Sequence, residues 1–467
     1  MNMDVNSKRD RALFGNLLLT VLICSFVMPL YLVGRTRDVS AAFEVTNFLI
    51  IAVSAFCMTA STRERPFYTS TFFYTFILFF FGIAPLIQYM RYTTFWGGRI
   101  IEPEVFAWLN VIILLIIAFY ELSYRLLYNH LRMVSRAPLA ATAPSDSDRG
   151  ETPKVRLLCL LSLAVTIFTI YYYSDDLTFM LIREMAGSEP HKFETENQQL
   201  HLVFIHFLRP IPVIAWTLYN FCTRKKNPWA VFTLGTLALV SNFPLSLSRN
   251  YLAAVYIPLV CSLMKNWIRR KYVIIGILAF AMLYFFPLMN QARTIGEIDE
   301  FKFVTNFRMF NQGHFDSYQN FARIISMELV TNGQQLLGCL FFFVPRSVWP
   351  DKPIGSGGFI ADMFDYNFSH ISMPYFAEGY INFSYFGILL FTVLLGMLNA
   401  YMDFRYYNRN NGIRFKMIYL TYCSMLIFNM RGDLISCYAY SVGFLCSIAF
   451  VCGVGVKSGE NHFGGDE

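Results

Sequence analysis

Apolar residues in this chain come in blocks of roughly bilayer length, separated by short polar turns. Blocks occupy residues 13–34, 44–60, 68–89, 104–124, 157–173, 200–222, 228–247, 272–289, 378–402 and 434–456, with shorter ones at 251–264 and 417–430. A helix needs about 20 mainly apolar residues to cross the hydrocarbon core. Only helices and closed barrels satisfy their backbone groups there. The pattern predicts an all-α integral membrane protein, a polytopic bundle of about 12 transmembrane helices. Residues 1–467 then form a single membrane domain. The block at 251–264 is short and must borrow flanking residues to span. In the block at 200–222, Arg209 is followed by Pro210 and Pro212, which predicts a kink.

Two long intervals interrupt the blocks. Residues 125–156 are polar, with Ala, Pro, Ser and Asp in their middle, and read as a loop. Residues 290–378 form the longest loop, and it has structure of its own. Phe303, Phe307 and Phe310 recur at helical spacing, and Phe315, Tyr318 and Ile325 continue an apolar side that Arg308, His314, Asp316 and Arg323 interrupt. That pattern fits an amphipathic helix on the membrane surface and equally a helix packed across the mouth of the bundle. Further on, the apolar run at 335–344 is too short to cross a bilayer. It meets FFFVPRSVWPDKPIGSGG at 341–358, whose three prolines and three glycines no regular helix carries. Arg346, Trp349, Asp351 and Lys352 sit in that irregular segment. A cation and an aromatic on a kinked loop at a membrane surface suit an anionic, lipid-borne ligand.

Composition agrees with a membrane protein: 55% of residues are apolar and 15% charged, against about 25% charged in ordinary globular domains. The formal charge of +7 is divided among short loops, whereas a nucleic-acid protein clusters its charge on one soluble face. The ten cysteines lie in or beside apolar blocks, with no CxxC pair and no zinc-like spacing to histidine, and read as small buried hydrophobes. Lys8, Arg9 and Arg11 precede the first block, which has no small-residue cleavage site and reads as a first span. With the amino terminus inside, 23 Lys and Arg fall on the inner side and 15 on the outer, six of them in the long loop. Positive charge favours the cytoplasmic side. Both termini are therefore expected in the cytoplasm, and the loop at 290–378 outside.

VPRSVWPDKPIGSGG, followed by EGYINFSYFG at the head of a block, resembles the bacterial Wzy-type polymerases of oligosaccharide repeat units, the O-antigen and capsule polymerases. The SLSRNYL turn upstream and the MRGDL turn downstream are similar too. The likeness is motif-like from about residue 245 to 434 and one of topology before that. It implies a glycosyltransferase C-like bundle in the bacterial inner membrane with a large, partly helical periplasmic loop. The implied substrate is an undecaprenyl-diphosphate-linked oligosaccharide: the growing glycan leaves its carrier and joins a newly flipped repeat unit. A chain-length regulator and a flippase are the implied partners besides membrane lipids. Outer-loop arginines are the family's functional residues, and Arg249 and Arg346 match, with Arg431 at the corresponding later turn.

Such a transfer needs charge to meet the departing diphosphate. Arginine offers a planar, permanently charged fork for phosphate oxygens, placed where negative charge develops. Arg249, Arg293, Arg346 and Arg431 lie in or near outer turns. No Asp-x-Asp occurs on the outer side, so a metal-independent transfer with no cofactor is expected. The acceptor hydroxyl needs a base, for which Asp316 and Glu378 are the catalytic candidates, beside His314, Asp365 and Asp433. Trp349 and Lys352 are candidate substrate contacts, as are His314, Arg293 and Arg431. The bland readings are that loop arginines snorkel to the headgroups, that Glu378 merely starts a helix, and that Trp and Tyr collect at interfaces. The rival functions are an O-antigen ligase, which delivers the same donor to lipid A-core, and a flippase or transporter. The latter would want charges at mid-membrane and repeated halves, and the blocks are mostly free of charge.

Overall fold

The computed structural model describes residues 2–33, 39–65, 67–98, 100–135, 152–182, 198–264, 270, 272–285, 288, 307–408 and 411–457. In chain order the helices are α1 (Asp10–Leu32), α2 (Ala41–Arg63), α3 (Thr69–Met90), α4 (Pro103–Ser135), α5 (Val155–Tyr172), α6 (Leu200–Cys222), α7 (Pro228–Ser246), α8 (Arg249–Leu263) and α9 (Val273–Phe285). The long loop contributes α10 (Ser317–Ser326), α11 (Gln334–Leu340) and α12 (Ser356–Met363). It is followed by α13 (Tyr375–Asn408), α14 (Ile413–Arg431) and α15 (Leu434–Gly455). Nine of these, all but α8 to α12 and α14, are long and apolar enough to cross a membrane. The chain is a multi-pass helical membrane protein.

Proline shapes several of the long helices. Wide π turns at Ile23–Val27, Ile77–Ile83 and Phe204–Leu208 stand just ahead of Pro29, Pro85 and Pro210. A proline has no N–H to give and its ring crowds the carbonyl one turn back; widening that turn relieves both. The kink read from Pro210 takes this form.

The helix α3 is the buried centre, and the whole of its most apolar window is enclosed. Phe73 stacks on Tyr120 of α4 at 3.6 Å. Halfway along α3, Phe80 stacks on Phe315, and Phe81 packs against Tyr318 and Phe321, all of them buried. Of its two readings, the amphipathic stretch of the long loop follows the second and packs against the bundle. It is two short 3-10 turns, Phe307–Asn311 and Gly313–Phe315, followed by α10, and it is packed across the bundle mouth. Phe303 and Arg293 lie outside the described residues.

Two boundaries also differ from the sequence reading. The polar interval at 125–156 does not begin as a loop: α4 runs on to Ser135. Its Leu, Arg and Met residues are good helix formers, and polarity alone does not end a helix. At the interval's end, Thr152–Pro153 pairs antiparallel with Val456–Lys457, while residues 136–151 lie outside the described set. The block starting at Glu378 is not a straight span either. Within α13 the backbone breaks at Phe383 (φ −144°, ψ 27°) and Ser384 (φ 55°, ψ −148°). In a continuous helix, residues eight apart lie about 12 Å apart along the axis. Here a Cβ on Gly387 would stand 1.9 Å from the Gly379 carbonyl oxygen, so the short arm doubles back on the long one, and both contact residues must be glycine. The loop satisfies the break: Thr331 donates to the Ile381 carbonyl through its backbone N–H (2.6 Å) and its hydroxyl (2.9 Å), and Leu336 N–H donates to Asn382 Oδ1 at 2.9 Å.

Candidate anion site at one end of the bundle

The turn before α4, the start of α8, the long loop and the α14–α15 turn meet at one end of the bundle. At the other end, Tyr407 and Tyr419 both donate to the Phe67 carbonyl at 2.8 Å. Four of the candidate residues converge at the first end. Arg249 opens α8 directly after its cap, Ser248, whose side chain accepts from Tyr251 N–H. Its Nη2 lies 3.1 Å from His314 Nε2. A guanidinium only donates, so Nε2 presents its lone pair and the imidazole is neutral with its proton on Nδ1. Arg431, at the end of α14, donates from Nε to the His314 carbonyl at 2.8 Å. Its Nη2 stands 3.7 Å from Asp316 Oδ1. Arg249 and His314 are half-buried; the Arg431 side chain is 25% exposed and that of Asp316 only 1%. The tripeptide His314-Phe315-Asp316 thus sends two polar side chains to the arginines and anchors its phenylalanine in the core between them.

Asp316 has partners that the sequence reading missed. Its Oδ2 accepts from Trp96 Nε1 at 2.9 Å and from Ser372 N–H at 3.2 Å. Trp96 lies on the turn between α3 and α4, at φ 60°, a left-handed backbone that costs a bulky residue about 1–3 kcal/mol. The visible signal is the sequence Trp96-Gly97-Gly98 inside a short interval: a turn signature around an aromatic that interfacial preference alone does not require.

Glu378 and Asp433 form a second, deeper group. Glu378 is 1% exposed. Its Oε2 accepts from the Ser356 hydroxyl at 2.7 Å and its Oε1 from Leu434 N–H at 3.0 Å. Asp433 accepts from Gly357 N–H at 2.8 Å and from Ile435 N–H at 3.1 Å. Both carboxylates therefore serve the first turn of α15, a helix to which Glu378 does not belong, where unpaired N–H groups and the helix dipole favour negative charge. A Cβ on Gly355 would stand 2.6 Å from Asp433 Oδ2. The Gly-Ser-Gly-Gly stretch accordingly seats this carboxylate and keeps α12 against α15. Burial pushes the Asp433 carboxyl up, against the backbone donors that pull it down.

The irregular segment itself stands apart from these contacts. Arg346 is exposed and donates from Nη1 to the carbonyls of Pro350 (3.3 Å) and Lys352 (2.8 Å). Lys352 donates from Nζ to the carbonyls of Phe342 (3.0 Å) and Val344 (2.8 Å); partial burial, then Arg346 beside it, lowers its ammonium from the ordinary range. These two cations staple the loop's own backbone, and Trp349 lies half-buried within it. Among the described residues, no group of three or more His, Cys, Asp and Glu is placed to hold a metal ion.

Compared with known proteins, the chain matches no family model, no curated protein and no solved structure. What it can bind is therefore argued from this geometry. Two guanidinium groups, an imidazole and one carboxylate, brought from three separate segments, share a half-buried mouth. The arginines suit phosphate oxygens, and the carboxylate suits a hydroxyl.

Proposed function

We propose that the protein is a membrane glycosyltransferase that polymerises polyprenyl-diphosphate-linked oligosaccharide repeat units at the outer face of a bacterial inner membrane, for O-antigen or capsule. The observation that carries this reading is the meeting of Arg249, His314, Asp316 and Arg431 at one end of the bundle. The reading takes all of the apolar blocks as spans, a bundle of about 12 of the glycosyltransferase C type, with both termini cytoplasmic from the distribution of basic residues. The motif resemblance lends support, since two of these four residues stand in the turns that carry it.

In this reading Arg249 and Arg431 hold the diphosphate of the donor. As the bond from the anomeric carbon to the diphosphate oxygen breaks, the leaving group gains charge, and fixed guanidinium groups meet it without reorganising. His314, through its contact with Arg249, helps to hold that guanidinium in place for the diphosphate. No metal is needed for leaving-group stabilisation of this kind.

Purified protein in nanodiscs, given one polyprenyl-diphosphate-linked repeat unit without divalent metal, should yield products whose masses rise by whole repeat units. Products only after lipid A-core is added would make the protein a ligase. No product under either condition, from a folded preparation, would remove the enzyme reading.

A further inference from the structure

Asp316 is fully buried, yet its two oxygens are treated differently. Oδ2 has two donors, the indole N–H of Trp96 and the backbone N–H of Ser372. Oδ1 accepts no hydrogen bond among the described residues, and Arg431 is 3.7 Å away, beyond hydrogen-bond length. A buried carboxylate oxygen without a donor is costly and uncommon. One that stands beside Arg431 at the bundle mouth lacks a donor that a hydroxyl would supply.

Trp96 is built into this arrangement from several sides. Its ring stacks on Phe368 (centroids 4.6 Å, interplanar 26°). Its carbonyl accepts from Asn367 N–H at 3.2 Å. On another side it lies against Gly313, where a Cβ would stand 2.2 Å from the indole ring. Gly313 is thus the one residue that lets the indole reach Asp316, and it precedes His314 directly. Together with the left-handed backbone at Trp96, these contacts fix the indole N–H on Oδ2 and leave Oδ1 on the side of Arg431.

We infer that Asp316 is the base that takes the proton of the acceptor hydroxyl, and that Trp96, from the α3–α4 turn, is the positioning residue that aims it. The inference rests on the transferase reading above. In the step, the acceptor oxygen forms its bond to the anomeric carbon of the donor glycan while its proton passes to Asp316 Oδ1. The bond from that carbon to the diphosphate oxygen breaks, and its electron pair leaves with the polyprenyl diphosphate beside Arg249 and Arg431. Asp316 then releases the proton to solvent.

The test is Trp96→Phe, which keeps the ring on Phe368 and deletes only the donor, assayed with the polyprenyl-diphosphate repeat unit and normalised to monodisperse protein. The expected result is a fall in kcat of about a hundredfold, as for a misaligned catalytic group, with KM for the donor unchanged. Trp96→His, which restores a ring N–H, should recover part of that loss. In Asp316→Ala, added formate should restore turnover at least about tenfold, and it should do nothing for Trp96→Phe. Unchanged kcat in Trp96→Phe overturns the positioning role. Absence of formate rescue overturns the base role, and it reads out even if Trp96→Phe does not fold. A wild-type protein that makes no product ladder fails the transferase reading instead, and the base role falls with it.

Discussion

The two ends of the bundle each bury an aspartate completely, and the two are used in opposite ways. Asp403, in the last turns of α13, accepts from Tyr419 (2.6 Å), Tyr124 (2.7 Å) and both the hydroxyl (2.7 Å) and backbone N–H (3.2 Å) of Thr69. Each of its oxygens has two donors, and nothing is left for a ligand. Asp316, equally buried, has its donors on one oxygen and an arginine at a distance from the other. Arginines show the same contrast. Arg209, only 4% exposed, spends its donors on Ser241, Tyr173 and Ser246 and lies against the Tyr173 ring. Arg431 keeps a quarter of its side chain open. Burial of a charge does not by itself mark function; incomplete satisfaction at an open mouth does.

The largest effect is expected at Arg431. Arg431→Ala leaves Asp316 buried without its counter-charge and removes one of the two arginines proposed for the leaving group. Turnover should fall about a thousandfold, with a stability cost of about 3 kcal/mol from the orphaned carboxylate. Arg431→Lys should keep the stability and recover only part of the rate, because a point charge does not replace a fork. Full activity in the alanine variant, with normal yield, would end the leaving-group role.

Next in size is a crossed pair of substitutions. Asp403→Asn turns an amide N–H₂ towards hydroxyl and N–H donors. It should lower the melting temperature by a few degrees, through about 2 kcal/mol of lost hydrogen bonding, and leave turnover per folded molecule within about twofold. Asp316→Asn should do the reverse, losing about a hundredfold or more in turnover with little thermal change. If both variants behave alike, the contrast between the two ends carries no functional meaning.

These comparisons also show what the sequence could reveal. Hydropathy placed the helices, because burial in lipid demands long apolar blocks whatever the tertiary detail. The turns holding Arg249 and Arg431, and the His314-Phe315-Asp316 stretch, stood out as charges between apolar blocks. That they meet was not legible, since convergence depends on how α8, α10 and α14 pack. Trp96 was hidden for a different reason: a tryptophan between two spans is expected at an interface, and its aim depends on Gly313 and Phe368, which are distant in sequence. Glu378 was legible as an acid at a helix start, yet the helix it serves is α15, reached because α13 breaks at Ser384.

A smaller effect should appear with pH at the deeper carboxylate pair. The Asp433 carboxyl is raised by burial, so the folded state holds its proton more tightly than the unfolded chain does. Stability from this group is full below the ordinary carboxylate value of 3.8 and is lost as pH rises through the raised folded value. Melting temperature should therefore drop across that window. In Asp433→Asn, which keeps an acceptor for one N–H and carries no charge, the drop should flatten. An equal slope in both proteins would place the raised group elsewhere.

The smallest effect is expected where the sequence pointed most strongly. Arg346 stands in the Pro-Arg…Trp-Pro…Lys-Pro segment that carries the family resemblance, but its guanidinium donates to loop carbonyls and is exposed. If that is its whole task, Arg346→Ala loosens a solvated loop and should change turnover by no more than about threefold, as for other surface substitutions. Arg346→Lys should then match the wild type. A loss of about a hundredfold in Arg346→Ala, with Lys unable to rescue it, would mean that the loop swings in and that substrate completes the site with a third arginine. The difference between these outcomes decides whether the anion site is preformed by Arg249 and Arg431 or closes from the loop.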